Sequence, residues 1–246
     1  MKLDPPVKYL LVDLDGTLLG NRNLPLSVDF ALRTMGTLRK YGGWRKAVGT
    51  LLAINEALRK PSKDITNDNR VVALFSKRTG LDPEEARKLL REGVGSIFPK
   101  LKKHFFPVPG SRDFLDWACT RYPLTLATNP VWPQEIVELR VRWAGIDPSI
   151  FRSMTHVKRM HACKPTQEYY TEVLEQEGIK AEDCMLIGDD EKMDLPATRV
   201  GIRVYIVGEY PKVAPIKTPR QKAPAWRGNY ADLQMHLEIN FENLCG

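Results

Sequence analysis

The chain of 246 residues, 43% apolar and with a formal charge of +7, is long enough to bury a sizeable core, either as one large domain or as one domain carrying a smaller one. Its cysteines, Cys119, Cys163, Cys184 and Cys245, lie far apart with no C-x-x-C pair, which argues against a disulfide framework or a zinc site. The start Met-Lys-Leu-Asp-Pro-Pro lacks the apolar stretch of a signal peptide, and no apolar run reaches the ~18 residues of a membrane span, so a cytoplasmic protein with no membrane partner is expected.

Tyr9 to Val12 is a short apolar run of β-type residues that ends in Asp13-Leu14-Asp15-Gly16-Thr17, the pattern of a buried parallel strand running into a loop. Residues 25–105 predict an almost wholly helical insert. Val48, Leu51, Leu52 and Ile54, then Val71, Leu74 and Phe75, recur at three-to-four spacing, and Asp82-Pro83-Glu84-Glu85 is a good helix start. This insert holds the excess charge, with 17 Lys and Arg against 8 Asp and Glu. After Pro107-Val108-Pro109-Gly110 the pattern alternates: a helix near 111–121, a strand at 124–127, helices near 133–144 and 166–177, a strand at 184–187, a short helix ending at Gly201, and a strand at 203–207. Alternation of this kind predicts an α/β fold with a doubly wound parallel sheet. Pro211 to Arg227, rich in proline and basic residues, reads as a surface loop or loose excursion before a last helix.

Four strand-end loops supply the residue types that phosphoryl transfer needs. Asp13 and Asp15, at i and i+2 beyond a strand, can divide labour as nucleophile and general acid/base. Thr128 and Asn129, after the second strand, offer a hydroxyl and a backbone N–H to phosphate oxygens. Lys164, followed by Pro165, stands between that loop and the next acidic one. Gly188-Asp189-Asp190, with Asp194 on the short helix that follows, clusters acids that repel one another unless a cation intervenes, and a hard, oxygen-seeking ion such as Mg2+ suits them. With Asp15 acting as an acid, one Mg2+ and Lys164 balance Asp13, Asp189 and Asp194. At an effective dielectric of about 20, each unlike pair ~4 Å apart is worth about 4 kcal/mol.

In order and spacing these residues closely resemble the four motifs of the haloacid dehalogenase (HAD) superfamily: the D-x-D-G-T box, the Thr after the second strand, the Lys-Pro, and the G-D-D-x-x-x-D box. The resemblance implies a Rossmann-like core of residues 1–24 and 106–246 carrying a helical cap of the first type, residues 25–105. It implies that Asp13 forms an aspartyl-phosphate and that Asp15 protonates the leaving oxygen and then activates water. Thr128, Asn129 and Lys164 would hold the phosphoryl group. Mg2+ would be bound by the Asp13 carboxylate, the Asp15 carbonyl and Asp189, with Asp194 in support. Asp190, where many relatives have serine, is either an outer ligand or a bystander.

The expected activity is therefore a Mg2+-dependent phosphatase, acting on a small phosphorylated metabolite as a monomer or homodimer. The basic insert, with Arg45, Lys46 and Arg70 among its cations, suggests an anionic substrate or simply a solvated basic face. A phosphomutase would retain every motif residue, and a phosphonate hydrolase would need a cap lysine as well. A carbon–halogen hydrolase would have no use for Asp15. Binding of nucleic acid through the insert is disfavoured, because the complete acidic set repels phosphate. His156 and His161, five apart, are assigned surface or packing roles.

Overall fold

A computed structural model describes residues 5–38 and 43–245. Strand β1 (Tyr9–Val12) turns into β2 (Leu19–Asn21), and the insert follows as α1 (Asn23–Leu38), α2 (Gly43–Leu58), α3 (Asn67–Thr79) and α4 (Pro83–Ile97). A 3-10 segment, Phe98–His104, returns the chain to β3 (Phe105–Pro107). Then come α5 (Ser111–Ala118), β4 (Leu124–Leu126), α6 (Gln134–Trp143), β5 (Phe151–Met154), α7 (Gln167–Glu177), β6 (Cys184–Gly188) and α8 (Glu191–Asp194). The chain closes with β7 (Arg203–Val207), β8 (Ala214–Ile216), β9 (Ala225–Gly228) and α9 (Tyr230–Cys245).

The main sheet has the order β5-β4-β1-β6-β7-β9-β8, parallel except where β8 pairs antiparallel with β9. Because side chains alternate across a strand, each central strand feeds two cores. Leu10, Val12, Met185, Ile187 and Tyr205 enter one cluster, while Leu11, Cys184, Leu186, Val204 and Ile206 enter the other. Helices cover both faces, as the alternating pattern predicts.

Five strands escape the sequence pattern: β2, β3, β5, β8 and β9. Strand β5 is an edge strand with only its end residues buried, too short and too polar to stand out. The segment 211–227, expected to be a loop, instead holds β8 and most of β9, and β9 extends the parallel sheet beside β7. Pro215 is tolerated because β8 lies at the sheet's edge, and Trp226 anchors β9 by burial.

The insert joins the core through β2 and β3, which pair antiparallel with Gly20 opposite Phe106. A Cβ at Gly20 would lie 2.4 Å from the Phe106 ring, so this crossing needs glycine. Inside the insert, Asp82 caps α4 by accepting from the Glu84 and Glu85 N–H groups, as its sequence predicts. A second tie lies at the start of α3. The fully buried Asn67 donates through Nδ2 to the Ala162 carbonyl at 3.2 Å and to that of Pro130 at 3.4 Å, and its N–H donates to Met160. Arg70 gives its guanidinium to the carbonyls of Ala57, Lys60 and His161. It therefore serves as a clamp, and its charge is directed at the backbone. Lys46 falls among residues whose side chains lie outside the description.

Asn67→Ala should cost about 2 kcal/mol, because it strips partners from buried carbonyls. Urea unfolding of the variant checks this, and a loss under roughly 0.5 kcal/mol would show that the second tie contributes little.

Candidate active site

The site is built where three neighbouring parallel strands end. Strand β1 lies between β4 and β6, so the loops that follow these strands meet at one edge, the edge where open α/β sheets bind ligands. The Asp13 N–H donates to the Ile187 carbonyl and the Ala127 N–H to that of Val12, carrying the ladders one step past the strands and fixing the first residue of each loop.

Carboxylate oxygens of Asp13, Asp189 and Asp194 all lie within 4.8 Å of one another. Two glycines make this approach possible. A Cβ at Gly16, whose φ is +81°, would stand 1.9 Å from Asp189 Oδ2, and one at Gly188 would stand 2.1 Å from Asp194 Oδ2. Thr17, fully buried, donates its hydroxyl to Asp189 Oδ1 at 3.1 Å, and Tyr230 donates to the Thr17 carbonyl.

Lys164 lies between two of the acids, 2.8 Å from Asp13 Oδ1 and 2.7 Å from Asp194 Oδ1. Burial alone would lower its pKa, but the two carboxylates raise it well above the ordinary value. Asp194 Oδ2 accepts from the Asp190 N–H, so both Asp194 oxygens are engaged and this residue braces Lys164. Asp13 and Asp189 are then the carboxylates best placed to take a cation. Burial pushes Asp13 up to about 7 against the pull of Lys164, and burial together with Asp194 pushes Asp189 up to about 6. A set of oxygen donors that holds protons near neutrality fits a hard divalent ion such as Mg2+.

The remaining expected residues divide. Asn129 lines the acidic pocket of about 600 Å3 together with Asp13, Asp15, Lys164 and Asp189. Thr128 is buried behind it, and its hydroxyl has no protein partner. The Thr128 carbonyl is held by the hydroxyls of Thr155 (2.6 Å) and Tyr169 (2.9 Å). Asp190 caps α8, accepting from the Lys192 and Met193 N–H groups. Pro165 precedes the cap Thr166 and lies outside the first turn of α7. His161 pairs with Glu172 at 2.7 Å, and neither it nor His156 lines the acidic pocket.

Arg140, unforeseen in the sequence, is 3% exposed on α6 and pairs through Nη2 with Asp15 Oδ1. Its Nε and Nη1 are buried without a partner. A signal was present: Arg140 falls on the buried face of α6 with Ile136, Val137 and Val141, where an unpaired charge would be costly.

A largely parallel sheet that gathers carboxylates beneath a helical insert defines a Rossmann-like α/β core with a cap. Residues 7–200 match the family model of haloacid dehalogenase-like hydrolases, and the chain belongs to that family. No curated protein matches it. Among solved structures it is similar to a 2-haloacid dehalogenase from Pseudomonas syringae pv. Tomato DC3000, at 20% identity and a TM-score of 0.62 over 95% of this chain and 99% of the other. It is also similar to a HAD phosphatase from Thermococcus onnurineus, at 20% identity and a TM-score of 0.55 over 94% and 98%. A third is the HAD hydrolase YfnB from Bacillus subtilis bound to magnesium, at 18% identity and a TM-score of 0.53 over 95% and 100%. At these identities the likeness concerns the fold. Among the described residues no helix is long and apolar enough to cross a membrane.

The raised carboxyls give a pH dependence whose sign is fixed. Asp13 and Asp189 hold protons in the folded state that they lose near pH 3.8 when unfolded. Their contribution to stability is therefore present at low pH and is lost as pH rises through about 6 and then about 7. Metal-free protein should melt at progressively lower temperature between about pH 5 and 8, and millimolar Mg2+ should flatten that slope. Melting curves with and without Mg2+ check this; a slope that matches Asp13→Asn would reject it.

Proposed function

We propose that the protein is a Mg2+-dependent phosphomonoester hydrolase that works through an aspartyl-phosphate on Asp13. The observation that carries this reading is the convergence of Asp13, Asp189 and Asp194 around Lys164, with a second carboxyl, Asp15, on the wall of the same pocket. In this reading residues 1–24 and 106–246 form the catalytic core and residues 25–105 the cap domain.

Asp13 attacks phosphorus with one carboxylate oxygen. The ester P–O bond breaks, and its electron pair leaves on the alcohol oxygen, which takes a proton from Asp15. Water then gives a proton to Asp15 and attacks phosphorus, so that the Asp13–phosphorus bond opens and inorganic phosphate is released. Lys164 and the Thr128–Asn129 loop hold the phosphoryl oxygens. Asp13, Asp189 and the Asp15 carbonyl would hold Mg2+, whose charge offsets that of the phosphoryl group. The Arg140–Asp15 pair belongs to the resting enzyme, since the acid step needs the Asp15 carboxyl turned to the ester oxygen.

Support for a phosphatase over a dehalogenase comes from that second acid and from the oxygen donors, neither of which halide displacement uses. Among the described residues no lysine of the insert lines the acidic pocket, which disfavours a phosphonate hydrolase.

Purified protein should hydrolyse p-nitrophenyl phosphate with Mg2+ and stop when EDTA removes it. Asp13→Asn should lower turnover on the order of a thousandfold or more, and Asp15→Asn by about 10² to 10⁴ with phosphoenzyme accumulating. Wild-type rates in both variants, or chloride release from a 2-chloro acid without Mg2+, would reject the assignment.

A further inference from the structure

A second and larger cavity, about 920 Å3, lies among α1, α2, α3, α4 and the segment that leaves β4. Asn129 lines both this chamber and the acidic pocket, so the two spaces meet at the residue that follows Thr128. The walls are largely apolar: Phe30, Phe75 and Trp132 provide aromatic surfaces, with Leu51, Ile54 and Val72 between them. Phe30 and Trp132 stand edge to face with ring centroids 5.7 Å apart.

Asn55, Glu84 and Glu92 also line the chamber but are exposed to solvent, and two of its polar groups are buried without a partner. Thr34 is 8% exposed, and its hydroxyl has no partner. Asn129 Oδ1 is likewise buried and unpaired at the mouth. The two arginines on the walls are already engaged, Arg87 with Asp68 and Arg91 with Glu135, and Lys88 and Lys158 are solvent-exposed. The chamber thus lacks the buried cations that would hold a second anionic group, which the basic composition of the insert had suggested. A polyhydroxylated group would lose its water here and find almost nothing to replace it, whereas an apolar group would gain by leaving water.

Resting on the phosphatase reading above, we propose that the alcohol portion of the substrate is bulky and apolar, ring-bearing or branched. It fills this chamber, with one hydrogen-bonding group near Thr34, while the phosphate sits over Asp13. The cap would then select by burial of hydrocarbon more than by charge.

The test compares three esters of primary alcohols in Mg2+: 2-(1-naphthyl)ethyl phosphate, ethyl phosphate and glucose 6-phosphate. The naphthylethyl ester should exceed the other two in kcat/KM on the order of a hundredfold. Ile54→Trp, which fills the chamber, should reduce that ratio at least about tenfold. If ethyl phosphate or glucose 6-phosphate is hydrolysed as well as the naphthylethyl ester, this inference falls while the phosphatase reading stands. If no ester is hydrolysed, both fall. Should Ile54→Trp fail to fold, the wild-type ratio alone decides, and a ratio near one overturns the proposal.

Discussion

Holding carboxylates together at the end of a parallel sheet is electrostatically unfavourable, and the rest of the site is arranged around that constraint. Asp13 and Asp194 approach only because Lys164 stands between them. Gly16 leaves the space that Asp189 fills and Gly188 the space that Asp194 fills, where a side chain would collide with each carboxylate. Thr17 and Tyr230 then fix the loop that carries Asp15, one by its hydroxyl on Asp189 and the other by a bond to the Thr17 carbonyl. None of these contacts would matter on a flat surface, where water would screen the acids. They matter here because Asp13, Lys164 and Asp194 are nearly fully buried, and a buried charge needs a partner.

Several contacts hold the helical insert to the core, and two of them bound the space above the acids. Strands β2 and β3 tie it beside the Asp13–Thr17 turn, and Asn67 ties α3 to the loop that leads to Lys164. The apolar chamber lies between these attachments. Its roof comes from the insert and its floor from the segment after Thr128, so whatever enters must lie against the loop that follows β4. Part of the insert's positive charge is paired within it: Arg33 and Lys103 both reach Asp29, and Arg87 reaches Asp68. Formal charge by segment therefore describes composition more faithfully than it describes the site.

What was legible in the sequence was local. The D-x-D-G-T turn and the G-D-D box announce themselves because each lies next to the strand that positions it, and an unbroken apolar run such as Tyr9 to Val12 marks a doubly covered strand. What was illegible depends on distant partners. Thr155 and Tyr169 hold the Thr128 carbonyl from 27 and 41 residues away, and nothing near them in the chain says so. Strand β9 exists because β7 offers it a free edge, which overrides the proline-rich, basic composition around it. The capping role of Asp190 follows from its backbone position, one residue before α8, where a carboxylate meets orphan N–H groups.

Arg140 alters the charge balance on which the sequence reading relied. That reading needed Asp15 neutral, so that Lys164 and one divalent ion could balance three carboxylates. In the fold a second buried cation faces Asp15, so four carboxylates stand against two side-chain cations, and the deficit of about two charges is that of a single divalent ion. Without such an ion, protons are the available compensation, and burial, aided by the neighbouring carboxylates, shifts Asp13 and Asp189 upward. The guanidinium keeps two nitrogens buried and unpaired, at a desolvation cost of about 1–3 kcal/mol each, and it lies 6.0 Å from the Phe105 ring of β3. One residue of α6 thus touches both Asp15 and the strand that carries the insert, although these lie on different parts of the chain.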